Sequence, residues 1–173
     1  MQINYNHQGK WSINNVIKKY KSLCELVKCI DGFELIPDTF TTPNGEITWT
    51  YNIMNSVVEG IILGDKACIQ LAVDYIEDNI MSPTTGYLRE RMARSLRHVD
   101  LTPYQKESLA KTFLNQLSTQ SINKEFKEYI RLFKTIGINP YKKDIEIYTQ
   151  SDKEYIRRAA EKLLTNTSIN LDI

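Results

Sequence analysis

The sequence predicts an all-α fold, about eight helices stacked as antiparallel hairpins. Three observations carry that prediction. Apolar residues recur at helical spacing through most of the chain, beginning with Ile13, Val16, Ile17, Tyr20, Leu23, Cys24 and Val27. Short punctuation separates the segments, and no Gly/Ser-rich linker interrupts them, which predicts one domain over residues 1–173. The tripeptide Tyr-(Leu/Ile)-Arg occurs at Tyr87-Leu88-Arg89, Tyr129-Ile130-Arg131 and Tyr155-Ile156-Arg157. Composition alone gives roughly 0.1 occurrences, so the recurrence marks a repeat.

Each element follows from local signals. Ser12 is a plausible N-cap for a first helix that runs to Asp31-Gly32. Two prolines and Asn44-Gly45 make residues 31–45 an irregular loop carrying Phe33, Leu35, Ile36 and Phe40. A second helix is marked by Ile47, Tyr51, Met54, Val58, Ile61 and Ile62, and Gly64 closes it. After Asp65 a third turns Ile69, Ala72, Tyr75 and Ile76 inward and exposes Asp74, Glu77 and Asp78. Acidic groups at a helix C-terminus oppose the dipole, so a cation is expected beside them. Residues 82–86 read as a turn, followed by a helix with Leu88, Met92, Leu96 and Val99 on one face.

Thr102-Pro103-Tyr104-Gln105 has the form of a capping box with Pro at the first helical position. Its helix buries Leu109, Ala110, Phe113, Leu114 and Leu117. The next opens at Ser121, carries Phe126, Tyr129, Ile130, Phe133 and Ile136, and stops at Gly137. Asn139-Pro140 starts a short helix over residues 141–148. Ser151-Asp152-Lys153-Glu154 reads as a second capping box, before a last helix that buries Tyr155, Ile156, Ala159, Ala160 and Leu163. Residues 165–173 are expected to fray.

That last helix, Ser151 to Leu164, resembles the inner helix of HEAT-type repeats. Asp152, Ile156, Arg157, Ala159, Ala160 and Leu163 match the family in type and order. The copy at Tyr87 keeps Leu88, Arg89 and Leu96; the copy at Tyr129 has Leu132 and Phe133 where the alanines would stand. The resemblance implies a short HEAT-like α-solenoid, an architecture that serves mostly as a binding surface. The repeated Arg89, Arg131 and Arg157 are then structural, with stems covering apolar surface and forks bonding the neighbouring turn.

Composition narrows the function classes. Hydrophobic residues make up 42% and charged residues 25%, ordinary for a globular domain. The longest apolar runs are too short to cross a bilayer, so no membrane partner is expected. Cys24, Cys29 and Cys68 are odd in number and lack CxxC spacing. They argue against a disulfide scaffold and make a reducing cytoplasm the default. His7 and His98 form no metal-binding pattern, and the phosphate-cradling glycine motifs and the nucleophile elbow are absent. The reading is of a protein without catalysis, metal or cofactor.

Charge supplies the partner classes. Residues 1–80 hold 6 Lys/Arg against 10 Asp/Glu, whereas residues 81–173 hold 16 against 11. The first reading is a protein-binding surface that neutralises a basic partner. Its acidic face and loop would be Phe33, Glu34, Asp38, Phe40, Glu59, Asp74, Glu77 and Asp78. In size, helicity and acidic surface the chain is similar to the immunity proteins that neutralise bacterial nuclease toxins. The second reading is nucleic-acid binding through Arg91, Arg94, Arg97, Lys142, Lys143 and Arg158, on a concave face such as HEAT-like DNA glycosylases use. A net charge of +1 weighs against it.

Overall fold

The computed structural model describes residues 1–80 and 85–165. Eight α-helices lie among them: α1 (Ile13–Cys24), α2 (Met54–Leu63), α3 (Lys66–Asp78), α4 (Thr85–Leu96), α5 (Pro103–Ser118), α6 (Phe126–Ile136), α7 (Lys142–Glu146) and α8 (Glu154–Leu164). The all-α prediction holds, with one small addition. Strands β1 (Gln2–Asn4), β2 (Thr39–Thr41) and β3 (Thr48–Thr50) form a sheet in the order β1-β3-β2. β1 runs parallel to β3 with Asn4 opposite Thr50, and β2 runs antiparallel to it with Phe40 opposite Trp49.

The helices pack in two rows. α1 lies on α3 and α3 on α5; α2 lies on α4, α4 on α6, and α6 on α8. Contacts of α3 with α2 and α4, and of α5 with α6, join the rows. α3 sits at the centre, so its sequence is apolar nearly all round: Ala67, Cys68, Ile69, Leu71, Ala72, Val73, Tyr75 and Ile76 are all buried. Each large aliphatic among them stabilises the fold by about 1.5–3 kcal/mol relative to exposure.

Ends are set by the expected chemistry in several places. Asp65 caps α3 by accepting from the Cys68 N–H at 2.9 Å. It also accepts from Tyr20 Oη at 3.0 Å and the Ile30 N–H at 2.9 Å, so a fully buried carboxylate is satisfied threefold. Gly64 ends α2 in the left-handed conformation, φ 84°, and the Asp65 N–H reaches back to Gly60 O at 2.9 Å. The Thr102 capping box forms in full: Gln105 N–H to Thr102 Oγ1 is 3.2 Å, and Thr102 N–H to Gln105 Oε1 is 2.9 Å.

Elsewhere the structure departs from the sequence reading. α1 stops at Cys24, where the chain reverses with the Leu26 and Val27 N–H groups both bonded to Leu23 O. That reversal brings Cys29 back to Cys24, and the two form a disulfide, leaving Cys68 as the free, buried cysteine. Pairing across five residues escaped the cysteine count, and it removes the reason for placing the chain in a reducing cytoplasm. The 31–45 loop contains β2, and residues 47–51 hold β3 rather than the start of α2. Thr85 and Gly86 belong to α4; the rest of the predicted turn, Ser82 to Thr84, and the tail at 166–173 lie outside the described residues. α6 starts at Phe126, five residues after Ser121. Ser151 does not cap α8, whose N-cap is Lys153, and Tyr155 is exposed.

The three tripeptides fall on α4, α6 and α8, but not at one helical phase. Tyr87 and Tyr155 point outward while Leu88 and Ile156 are buried; in α6 it is Tyr129 that is buried and Arg131 that is exposed.

Candidate functional site

The acidic residues singled out by sequence do not form one open face. Asp74 pairs with Lys19 and accepts from Gln70 Nε2 at 2.7 Å. Asp78 pairs with Lys10 at 2.6 Å and accepts from the Trp11 indole at 2.8 Å. Glu77 accepts from the Ser108 hydroxyl. The compensating cations at the end of α3 are therefore lysines of the N-terminal segment, and these carboxylates tie that segment and α5 to α3. Glu34, Asp38 and Glu59 remain exposed. Phe33 packs edge-on against Tyr20, ring centroids 6.2 Å apart, whereas Phe40 lies on Trp49 in the sheet at 5.5 Å. Phe33 and Glu34 line a cleft of about 420 Å³ with Ile17, Tyr20, Lys21 and Leu35. Its two aromatic rings are engaged with each other rather than offered to a ligand.

The basic residues are mostly engaged too. Arg94 bonds Glu90 at 2.7 Å and Arg158 bonds Glu154 at 2.5 Å, each within one helical turn. Arg97 faces the buried Glu128 at 3.7 Å. Lys142 and Lys143 are exposed on α7, apart from α4 in the chain and outside its packing partners. The carboxylates that meet these three arginines are Glu90, Glu128 and Glu154, and none of them is Asp74, Glu77 or Asp78. A groove for phosphates needs cations whose charge is not already met by a carboxylate.

Between α4 and α6 lies a buried charged network. Arg89, 2% exposed, donates through Nε to Glu125 Oε1 at 3.0 Å, and through its other nitrogens to the same oxygen and to Ile80 O. Glu128, also buried, bonds Arg131 at 2.5 Å. Gly86 lies close beside this pair: a Cβ there would stand 3.2 Å from Glu125 Oε2, so a side chain would have to displace the carboxylate slightly. His7 Nε2 meets Tyr75 Oη at 2.7 Å nearby. Burial, and secondarily the positive charge of Arg89, hold the His7 imidazole below its usual range, while burial raises the Tyr75 and Tyr129 phenols. The Arg89 and Glu125 charges are buried and face each other.

An open site lies on the outer side of the same helix. Tyr5, Tyr51 and Tyr87, 40%, 41% and 65% exposed, line a cleft of about 340 Å³ with Asn52, Asn55 and Leu88. Tyr5 follows β1 and Tyr51 follows β3, so the parallel pairing sets them side by side, with rings stacked at 6.1 Å and 23°. The Asn52 side chain locks this junction, donating to Tyr5 O at 3.1 Å and accepting from the Met54 N–H at 3.0 Å. Leu88, buried on α4, is the apolar floor. Arg91, one turn beyond Tyr87, donates to Asn55 Oδ1 at 2.6 Å and lies over the Tyr87 ring at 5.8 Å. Of the candidate binding residues named from the sequence, Arg91 alone borders this cleft. The tyrosines were missed as a group because they are far apart in the chain, with Tyr51 read as part of a helix and Tyr87 as part of a structural tripeptide.

This arrangement offers flat aromatic faces, an apolar floor and a fixed guanidinium, the means of holding a ligand. No cluster of His, Cys, Asp and Glu among the described residues has the geometry to hold a metal ion, and none of their helices is long and apolar enough to cross a membrane. Comparison of the chain with protein-family models, with curated proteins and with solved structures found no match.

Proposed function

We propose that this chain is a non-catalytic, protein-binding helical-repeat protein whose interface is centred on the tyrosine cleft. The observation that carries the reading is the convergence of Tyr5, Tyr51 and Tyr87 on one opening bordered by Arg91. Tyrosine and arginine are the residue types in which protein interfaces concentrate their binding energy. Large rings left exposed around a pre-formed cleft make a contact without the ordering cost that a mobile surface would add. The two-row helix packing supports the HEAT-like resemblance, although the tripeptides do not repeat in phase.

Neutralisation of a basic partner, as by a toxin-immunity protein, keeps support from Glu34, Asp38 and Glu59, the acidic candidates that stay exposed. It loses the support of Asp74 and Asp78, whose charges are met within the chain. The test is capture of partners from nuclease-treated native extract by the wild type and by Tyr87→Ala, followed by calorimetry on each purified protein that the wild type retains. A partner bound at fixed stoichiometry and weakened at least tenfold by Tyr87→Ala supports the reading. Equal binding by both forms removes the cleft from the interface.

A further inference from the structure

Arg91 differs from the arginines around it. Arg89, Arg94, Arg97, Arg131 and Arg158 each face a carboxylate, namely Glu125, Glu90, Glu128, Glu128 and Glu154. Arg157 donates to the backbone carbonyls of Ser151 and Asp152. Arg91 has, among the described residues, only neutral partners: the Asn55 side-chain oxygen and the Tyr87 ring. A guanidinium carries five N–H donors in a planar fork, and Asn55 takes one of them. Its position is nonetheless fixed, by that bond on one side and by the ring face on the other. An oriented arginine without a carboxylate, beside an open cleft, is arranged to receive one.

The cleft itself is uncharged: its lining is three tyrosines, two asparagines and a leucine. Of the acids nearest in sequence to its walls, Glu90 is engaged by Arg94 and Glu59 lies one turn along α2 from Asn55, exposed to solvent. Asp38, also exposed, meets Tyr51 through its backbone carbonyl, and among the described residues Arg91 is the charged side chain that bonds or stacks on the lining of the cleft. We propose that the cleft binds an extended segment of a partner protein in which a carboxylate side chain stands next to a ring side chain. The carboxylate takes the free edge of the Arg91 fork, and the ring, proline or aromatic, lies on the tyrosine faces over Leu88. Tyrosine hydroxyls at the rim donate to the backbone carbonyls of the segment, which in an extended conformation have no internal partner.

The proposal rests on reading the cleft as a protein interface, and charge complementarity is what selects the occupant. A single-stranded nucleic acid also stacks on aromatic rings, but it requires a track of several cations along its backbone. Arg94 and Arg97, the next basic residues along α4, already face carboxylates.

Fluorescence anisotropy tests the charge preference directly. The probes are fluorescein-labelled peptides of equal length with a central proline-tyrosine pair flanked by glutamates, by glutamines or by lysines, together with a labelled oligothymidine. The glutamate peptide is expected to bind at least tenfold more tightly than the glutamine peptide. Arg91→Gln abolishes that preference, whereas Tyr87→Ala weakens both peptides and leaves the preference in place. Circular dichroism on each variant establishes that it is folded. Equal affinity for glutamate and glutamine peptides overturns the proposal, as does tighter binding of the lysine peptide or the oligothymidine, or no peptide binding at millimolar concentration. If the charge preference fails while Tyr87→Ala still abolishes capture of the native partner, only this inference falls. If Tyr87→Ala leaves capture intact, the interface reading falls with it.

Discussion

Arg89 and Arg91 stand two residues apart on α4 and meet opposite fates. A step of two residues turns the helix by about 200°, so one guanidinium enters the core while the other reaches the surface. Arg89 is buried against Glu125 and the carbonyl of Ile80; Arg91 lies half-exposed between Asn55 and Tyr87. The same short stretch thus sends a charge inward and the Tyr87 ring outward, the reverse of ordinary patterning. The inward charge is matched by carboxylate and carbonyl, which makes it an element of structure. The outward ring and unmatched guanidinium are what remain for a partner. Location in the sequence says nothing about this division; the set of partners does.

Arg89→Met leaves Glu125 buried without its cation and is expected to cost about 3–5 kcal/mol in urea-unfolding experiments. Adding Glu125→Leu removes the orphaned charge, so the double variant should recover most of that loss. A double variant as unstable as the single one would mean that Arg89 acts through packing rather than through the pair.

On the outside the expectation inverts. Tyr87→Ala and Arg91→Gln should each stay within about 0.5 kcal/mol of wild-type stability, as surface substitutions generally do, while Tyr87→Ala loses about 2 kcal/mol of partner binding. Thr102→Ala, remote from both arginines, serves as a calibration: losing its cap should cost about 1 kcal/mol of stability and leave binding untouched.

The smallest expected effect concerns pH. His7 has a folded-state pKa lowered by burial and by the Arg89 charge. The folded protein therefore takes up a proton at His7 less readily than the unfolded chain does. Its contribution is fully present above the usual histidine value of 6.5 and is lost as pH falls through the depressed folded value. Urea midpoints measured between pH 7.5 and 5 should decline, and His7→Gln should flatten part of that decline.

Much of the helical architecture was legible. Apolar spacing placed the buried stripes of α1, α5 and α6, and Gly64, Gly137 and the Thr102 box marked real ends. The failures have local causes. Ile47, Tyr51, Met54 and Val58 satisfy a helical period, yet Thr48 and Thr50 flank Trp49 in a pattern that equally suits a strand, and pairing with β1 and β2 decides the matter. Three-residue strands are too short to leave a periodic signal. The disulfide depends on a chain reversal after Cys24 that spacing does not announce. Arg91 was identifiable as a basic residue on a helix, but its lack of a carboxylate is a property of three-dimensional neighbours. The tyrosine cleft was the least readable feature, since it is assembled from a strand end, a hairpin end and a helix.

That assembly gives the parallel pairing of β1 with β3 a kinetic meaning. Asn52 and Tyr5, bonded at the base of the cleft, are 47 residues apart. Their meeting requires α1, the turn after it and the hairpin to have found their places, and the entropy of closing that span is offset only when the last contacts form. The cleft at the centre of the proposed interface thus depends on a long-range contact that carries a loop-closure cost. A partner that grips Tyr5 and Tyr51 together holds that closure shut, so saturating it at a hundred times its dissociation constant would raise the unfolding free energy by about 2.7 kcal/mol.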